Sequence, residues 1–130
     1  DFFAAEGSED TLLADDAAIL KSIYGDLEPE AIDDYLSVLG TPEALGAALD
    51  WYRANIEDRM FVGGPVGPIS VPTLFIWSDG DAAICAEPAE ATGDYVDAAY
   101  EFVPVSGVDH WVPENAAQQV TDSLLTHLAP

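Results

Sequence analysis

Four residues in the second half of the chain carry side chains suited to acid–base chemistry. Asp79 and Asp81 stand in Ser78-Asp79-Gly80-Asp81. Asp109 and His110 stand in Ser106-Gly107-Val108-Asp109-His110-Trp111. A carboxylate held against one imidazole nitrogen fixes the tautomer of the ring and stabilises the imidazolium. The other nitrogen is then free to act as a general base. Such a pair requires a fold that delivers two segments, distant in sequence, to one place.

The flanking residues supply such a fold. Pro72-Thr73-Leu74-Phe75-Ile76-Trp77 is a continuous apolar run, and its length and β-branching predict a strand buried on both faces. Tyr100-Glu101-Phe102-Val103-Pro104-Val105 predicts a second strand, with Pro104 marking an edge or a strand end. The segment from Pro88 to Val96 reads as a helix weakened by Gly93. Strand, helix, strand is a βαβ unit, so the strands are expected to run parallel, about 4.8 Å apart. Their carboxyl ends then share one edge, where ligands bind in open α/β sheets. Spacing alone leaves catalysis open, because Asp-Gly-Asp is also an ordinary turn composition. A last helix is expected from Pro113 to His127, with Val120, Leu124 and Leu128 inward.

The first half reads as three helices. The first has Ser8 as its expected N-cap, apolar positions at Leu12, Leu13, Ile19 and Leu20, and a stop at Gly25. The second runs from Pro29 to Leu39, with Ile32, Tyr35, Leu36 and Leu39 on one face and Gly40 as its stop. The third opens with Thr41 as N-cap and Pro42 at its first position. Leu45, Ala48, Leu49, Tyr52 and Ile56 form its apolar face. Between the halves, the glycines and prolines of residues 61–68 break regular structure and mark a linker.

Composition limits the partners. Among 130 residues, 25 are acidic and 3 basic, a formal charge of −22. A surface this negative repels phosphate backbones and anionic lipid heads, which argues against nucleic acid and membrane partners. It fits either a salt-loving source or an ordinary, very soluble protein. The 49% hydrophobic content predicts a packed core. Cys85 is alone, so no intrachain disulfide forms, and it reads as a small buried hydrophobe. His127 suits the end of a helix. No zinc, calcium or phosphate-loop spacing is present, so neither metal nor cofactor is expected. The chain opens on Asp1 without a signal-peptide pattern, and is expected to be a fragment or a product of a cleaved precursor. A cytoplasmic location is expected, with secretion as the alternative.

Residues 72–81 and Gly107-Val108-Asp109-His110-Trp111-Val112-Pro113-Glu114 resemble the C-terminal end of an α/β-hydrolase. More narrowly, they resemble the branch of epoxide hydrolases and haloalkane dehalogenases. Asp50-Trp51-Tyr52-Arg53-Ala54-Asn55 is similar to the last cap helix of epoxide hydrolases. The resemblance implies an α/β fold, with a helical cap segment over residues 1–62 and a parallel βαβα core segment over 63–130. It implies Asp81, rather than Asp79, as the triad acid and His110 as the base. Tyr52 is implied as a donor to an epoxide oxygen, with Trp111 also contacting substrate. Nothing in the chain matches the nucleophile elbow, a glycine-flanked Ser or Asp. The implied partners are therefore a small-molecule substrate and an N-terminal part of the same precursor carrying the nucleophile. An Asp nucleophile would give epoxide hydrolysis, which Tyr52 favours; a Ser nucleophile would give an esterase or lactonase. A non-enzymatic binding subunit keeping the fold is the remaining alternative. A lone pair of parallel strands leaves an edge and apolar faces uncovered. The isolated chain is thus expected not to be independently stable at low salt, and a cooperative thermal transition there would contradict this.

Overall fold

The computed structural model describes residues 2–55 and 67–129. Ile56 and residues 61–66 of the expected linker lie outside the described residues. The chain divides into two compact units, Asp1–Pro65 and Val66–Pro130.

The first unit holds three helices: α1 (Ser8–Ile23), α2 (Pro29–Leu39) and α3 (Pro42–Asn55). Their shared core is Leu12, Leu20, Tyr24, Leu27, Leu45 and Leu49, all buried. Two expectations for α1 need correction. Gly7, not Ser8, occupies the N-cap, with a left-handed φ of 75°. Ser8 is instead buried, and its hydroxyl donates to the Phe3 carbonyl at 3.3 Å. The helix is also broken at Ala14–Ala17, where Asp15, Asp16 and Ala17 have φ of 50°, 58° and 56°. Left-handed L-residues cost roughly 1–2 kcal/mol each. The break allows Leu12 before it and Ala17 and Leu20 after it all to be buried, while Ile19 is exposed. Gly25 ends the helix with φ 62°, as a stop glycine should.

Helix α2 has its expected bounds, and Ile32, Tyr35, Leu36 and Leu39 are half-buried. Tyr35 stacks on Tyr24 at 5.1 Å. Gly40 closes α2 without left-handed backbone, by donating to the Leu36 carbonyl at 2.8 Å. Thr41 precedes a proline and so disfavours further helix. Its hydroxyl accepts the Ala44 N–H at 3.2 Å, as expected of an N-cap. On α3, Leu45 and Leu49 are buried, Tyr52 is half-buried, and Ala48 faces solvent. Arg53 ties α3 to α1 through an ion pair with Glu9, and also pairs with Asp50 at 3.0 Å.

The second unit runs β1 (Thr73–Ser78), α4 (Ala86–Glu90), a 3₁₀ turn (Ala91–Tyr95), β2 (Tyr100–Val105), α5 (Val112–Asn115) and α6 (Ala117–His127). The strands pair in parallel, from Thr73 opposite Tyr100 to Ser78 opposite Val105. Phe75 stacks on Phe102 across the pair at 5.7 Å. Burial of β1 on both faces does not extend along the strand: Thr73 to Ile76 are half-buried, and Trp77 and Ser78 are buried. Among the described residues only β2 flanks it.

The connecting helix begins at Ala86, two residues before the expected Pro88, and tightens into 3₁₀ geometry at Ala91. Gly93 lies against the Tyr100 ring, where a Cβ would come within 2.9 Å. The last helix is two helices, separated at Ala116 with φ −132°. Val120 is half-buried, but Leu124 and Leu128 are exposed rather than inward. Cys85 is exposed at the N-cap of α4 rather than buried. No helix among the described residues is long and apolar enough to cross a membrane.

Candidate active site

Strands in register end level with each other, so the loops after Ser78 and Val105 leave the same edge of the sheet. The two loops are joined residue by residue. Ser78, wholly buried, donates its hydroxyl to the Asp109 carbonyl at 2.6 Å. The Asp79 carboxylate accepts the Gly107 N–H at 2.9 Å, at a residue with left-handed φ of 80°. Gly80 sits so close to the Val108 carbonyl that a Cβ would fall 2.3 Å from it. Asp81 then meets His110: both carboxylate oxygens lie 3.0 Å from Nδ1.

Asp81 is anchored from the opposite side as well. Its Oδ1 accepts the N–H groups of Ala83 at 2.7 Å and Ile84 at 2.9 Å. That turn is held by the Trp77 indole, which donates to the Ile84 carbonyl at 2.9 Å. Burial pushes the Asp81 carboxyl up, but the Ile84 N–H, the His110 ring and the Ala83 N–H outweigh it and hold the group below the usual carboxylate range. Asp79 is held low by the Gly107 N–H and the Ser106 hydroxyl. It works as a loop tie, and Asp81 alone faces the imidazole.

The side chain of Asp81 is 7% exposed and that of His110 is 51% exposed. The carboxylate is thus shielded while the ring stays open to solvent. With Nδ1 donating to Asp81, Nε2 is an acceptor with no protein partner among the described residues. A cavity of about 390 Å³ adjoins the pair, walled by Trp77, Ile84, Val112 and Leu124. Its apolar lining accounts for the desolvation of Asp81. Trp111 is half-buried beside His110, the rings edge to face at 5.8 Å.

Tyr52 lies in the first unit, its ring 5.0 Å from Phe3 and 5.1 Å from Trp51. His127, half-buried at the end of α6, borders a separate cavity with Thr73 and Tyr100, at the starting edge of the strands. Among the described residues no cluster of His, Cys, Asp and Glu is arranged to hold a metal ion. Two contributors escaped sequence reasoning, Ser78 and Asn115, and Asp109 serves as a loop tie rather than as an acid. The Asp109 carboxylate accepts the Trp111 N–H and the Asn115 side-chain amide, both at 2.9 Å. Ser78 suggested only a turn and Asn115 only a helix position, and the partner of Ser78 becomes visible only when the strands are paired.

No protein-family model matches the chain. Epoxide hydrolase 4 of Homo sapiens is 28% identical over 102 residues, covering 78% of this chain and 27% of the relative. Epoxide hydrolase A of Mycobacterium tuberculosis is 28% identical over 105 residues, covering 78% and 32%. A solved structure described as novel epoxide hydrolases of the α/β-hydrolase superfamily, from metagenomes of hot environments, superimposes with TM-score 0.71 and 25% identity. It is matched over 98% of this chain and 49% of its own. The crystal structure of epoxide hydrolase A from Mycobacterium thermoresistibile gives TM-score 0.73 at 21% identity, over 98% of this chain and 50% of its own. The fold is therefore that of the C-terminal portion of an α/β-hydrolase. Within that fold, the proteins it resembles in sequence are epoxide hydrolases. The chain spans less than a third of these curated relatives and about half of the solved chains.

A carboxyl with a depressed folded pKa contributes stability above its unfolded value, roughly 4, and loses it as pH falls through the folded value. Asp81→Asn should therefore lower stability most near neutral pH. Its deficit relative to the parent should shrink as pH falls below about 5. Thermal unfolding of both proteins in molar salt, from neutral to acid pH, checks it, and a deficit independent of pH contradicts it.

Proposed function

We propose that this chain supplies the acid and the base of a nucleophile–Asp–His triad in an α/β-hydrolase, with epoxide hydrolysis as the favoured reaction. The observation that carries the reading is the Asp81 carboxylate facing His110 Nδ1 at 3.0 Å, with the side chain of His110 half open to solvent. In the first step, a nucleophile outside residues 1–130 attacks one epoxide carbon and the ring C–O bond breaks. The phenol of Tyr52 donates its proton to the departing alkoxide. An Asp nucleophile leaves an alkyl-enzyme ester. In the second step, His110 Nε2 takes a proton from water as the oxygen attacks the ester carbonyl. Asp81 stays ionised and stabilises the imidazolium. Collapse of the tetrahedral intermediate releases a diol and restores the nucleophile, and the proton held on His110 returns to the Tyr52 phenolate.

Residues 1–62 act in this reading as the cap and 63–130 as the core, with Trp111 beside the substrate. The nucleophile and oxyanion donors come from an N-terminal part of the same precursor, as a preceding segment or a separate chain. The half-length match to solved epoxide hydrolases supports this, as do the exposed Leu125 on α6 and Leu128 at its C-cap. A Ser nucleophile in that part would make the assembly an esterase or lactonase. A fold retained for binding alone is the non-enzymatic alternative.

In the assembly, His110→Ala should reduce epoxide turnover by at least 100-fold while leaving the circular dichroism spectrum unchanged. Turnover within about twofold of the parent would sink the proposal. Tyr52→Phe should slow epoxide opening about tenfold or more, since one hydrogen-bond donor to developing charge is lost. Ester hydrolysis should be much less affected. Unaltered epoxide turnover in Tyr52→Phe removes the ring-opening role.

A further inference from the structure

We propose that Ser78 is a positioning residue, whose hydroxyl holds the backbone carbonyl of Asp109 and so sets the His110 ring against Asp81. This rests on the acid–base reading of that pair. Ser78 ends β1 opposite Val105, in a fully buried position where an apolar side chain would pack without a polar demand. A buried hydroxyl is costly unless it is hydrogen-bonded. Here its partner lies across the sheet edge, on the peptide that leads directly into His110.

The other ties between the two loops act earlier in the segment. Asp79 grips Gly107, and Gly80 abuts Val108. Of these ties, only the 2.6 Å bond from Ser78 acts on the residue next to the imidazole. On the far side, the Asp109 carboxylate holds the Trp111 N–H. His110 is thereby fixed through the carbonyl before it and the amide after it. Misplacement of a catalytic group by about 1 Å can cost on the order of 100-fold in rate. One short bond to a buried, otherwise unmotivated hydroxyl removes that freedom.

The test is side-chain ¹⁵N NMR of the full chain in molar salt, without substrate. The chain has two histidines. His127, which borders the starting edge of the strands, serves as an internal reference for folding. In the parent, His110 should be in the Nδ1–H tautomer, with a downfield proton shared with Asp81. Ser78→Ala should weaken that proton signal and mix the tautomers while the His127 signals stay in place. Ser78→Thr, which keeps the hydroxyl, should restore the parent pattern. If Ser78→Ala loses the folded His127 signals, Ser78→Cys, similar in size but a weaker donor, is read instead and should give the same loss. An unchanged His110 tautomer in a folded Ala or Cys variant overturns the proposal. So does loss of the folded His127 signals in both variants, because the hydroxyl then serves folding alone. Absence of the Nδ1–H tautomer from the parent itself would instead overturn the acid–base reading, and this inference with it.

Discussion

A carboxylate cut off from water is unstable unless other groups meet its charge, and Asp81 is met on both sides. Two backbone N–H groups from its own turn and one imidazole nitrogen from the neighbouring loop converge on it. Charge-assisted hydrogen bonds of this kind are the stronger ones. Together they outweigh the apolar walls around the group, so the carboxyl stays ionised where burial alone would favour the neutral acid. The ionised form matters because a carboxylate can only accept, which makes Nδ1 the donor. The tautomer with Nε2 free then follows from the environment of Asp81 rather than from any contact at Nε2.

That convergence depends in turn on backbone register. Because Ser78 is opposite Val105, the two loops depart from the same level of the sheet, and four consecutive residues, 78 to 81, engage four consecutive residues, 107 to 110. A slip of one residue would carry each side chain of β1 to the other face. It would break these ties together. The two glycines in this region have distinct tasks. Gly107 accommodates left-handed backbone at the exit from β2, and Gly80 accommodates the Val108 carbonyl. A side chain at Gly80 would displace the loop that bears His110, whereas one at Gly107 would meet no neighbour and would cost only left-handed strain.

The parts legible in the sequence were those governed by local chemistry. Thr41-Pro42 announced a helix start, Gly25 a helix stop, and the run ending at Trp77 a strand. The parallel pairing and the meeting of Asp81 with His110 followed from a strand–helix–strand order and from resemblance. What escaped was set by tertiary context. The left-handed break in α1 has no glycine to mark it, since Asp15, Asp16 and Ala17 adopt it in a way that buries Leu12 and Leu20 on either side. Ala116 interrupts the last helix although alanine is the best helix former. Leu124 and Leu128 follow a helical period that suggests burial, yet they are exposed, because period reports which face is apolar and not what covers it. Ser78 looked like a turn residue because its partner lies across the sheet edge.

The coupling between Asp81 and His110 is the quantity on which this account stands. It is measured by a double-mutant cycle in unfolding free energy, from the parent, Asp81→Asn, His110→Gln and the double variant in one molar-salt buffer. The account predicts a favourable interaction energy on the order of 1 kcal/mol at neutral pH, as expected for groups in direct contact. Strictly additive effects, within about 0.3 kcal/mol, would mean that the two side chains do not meet in solution, and would contradict it.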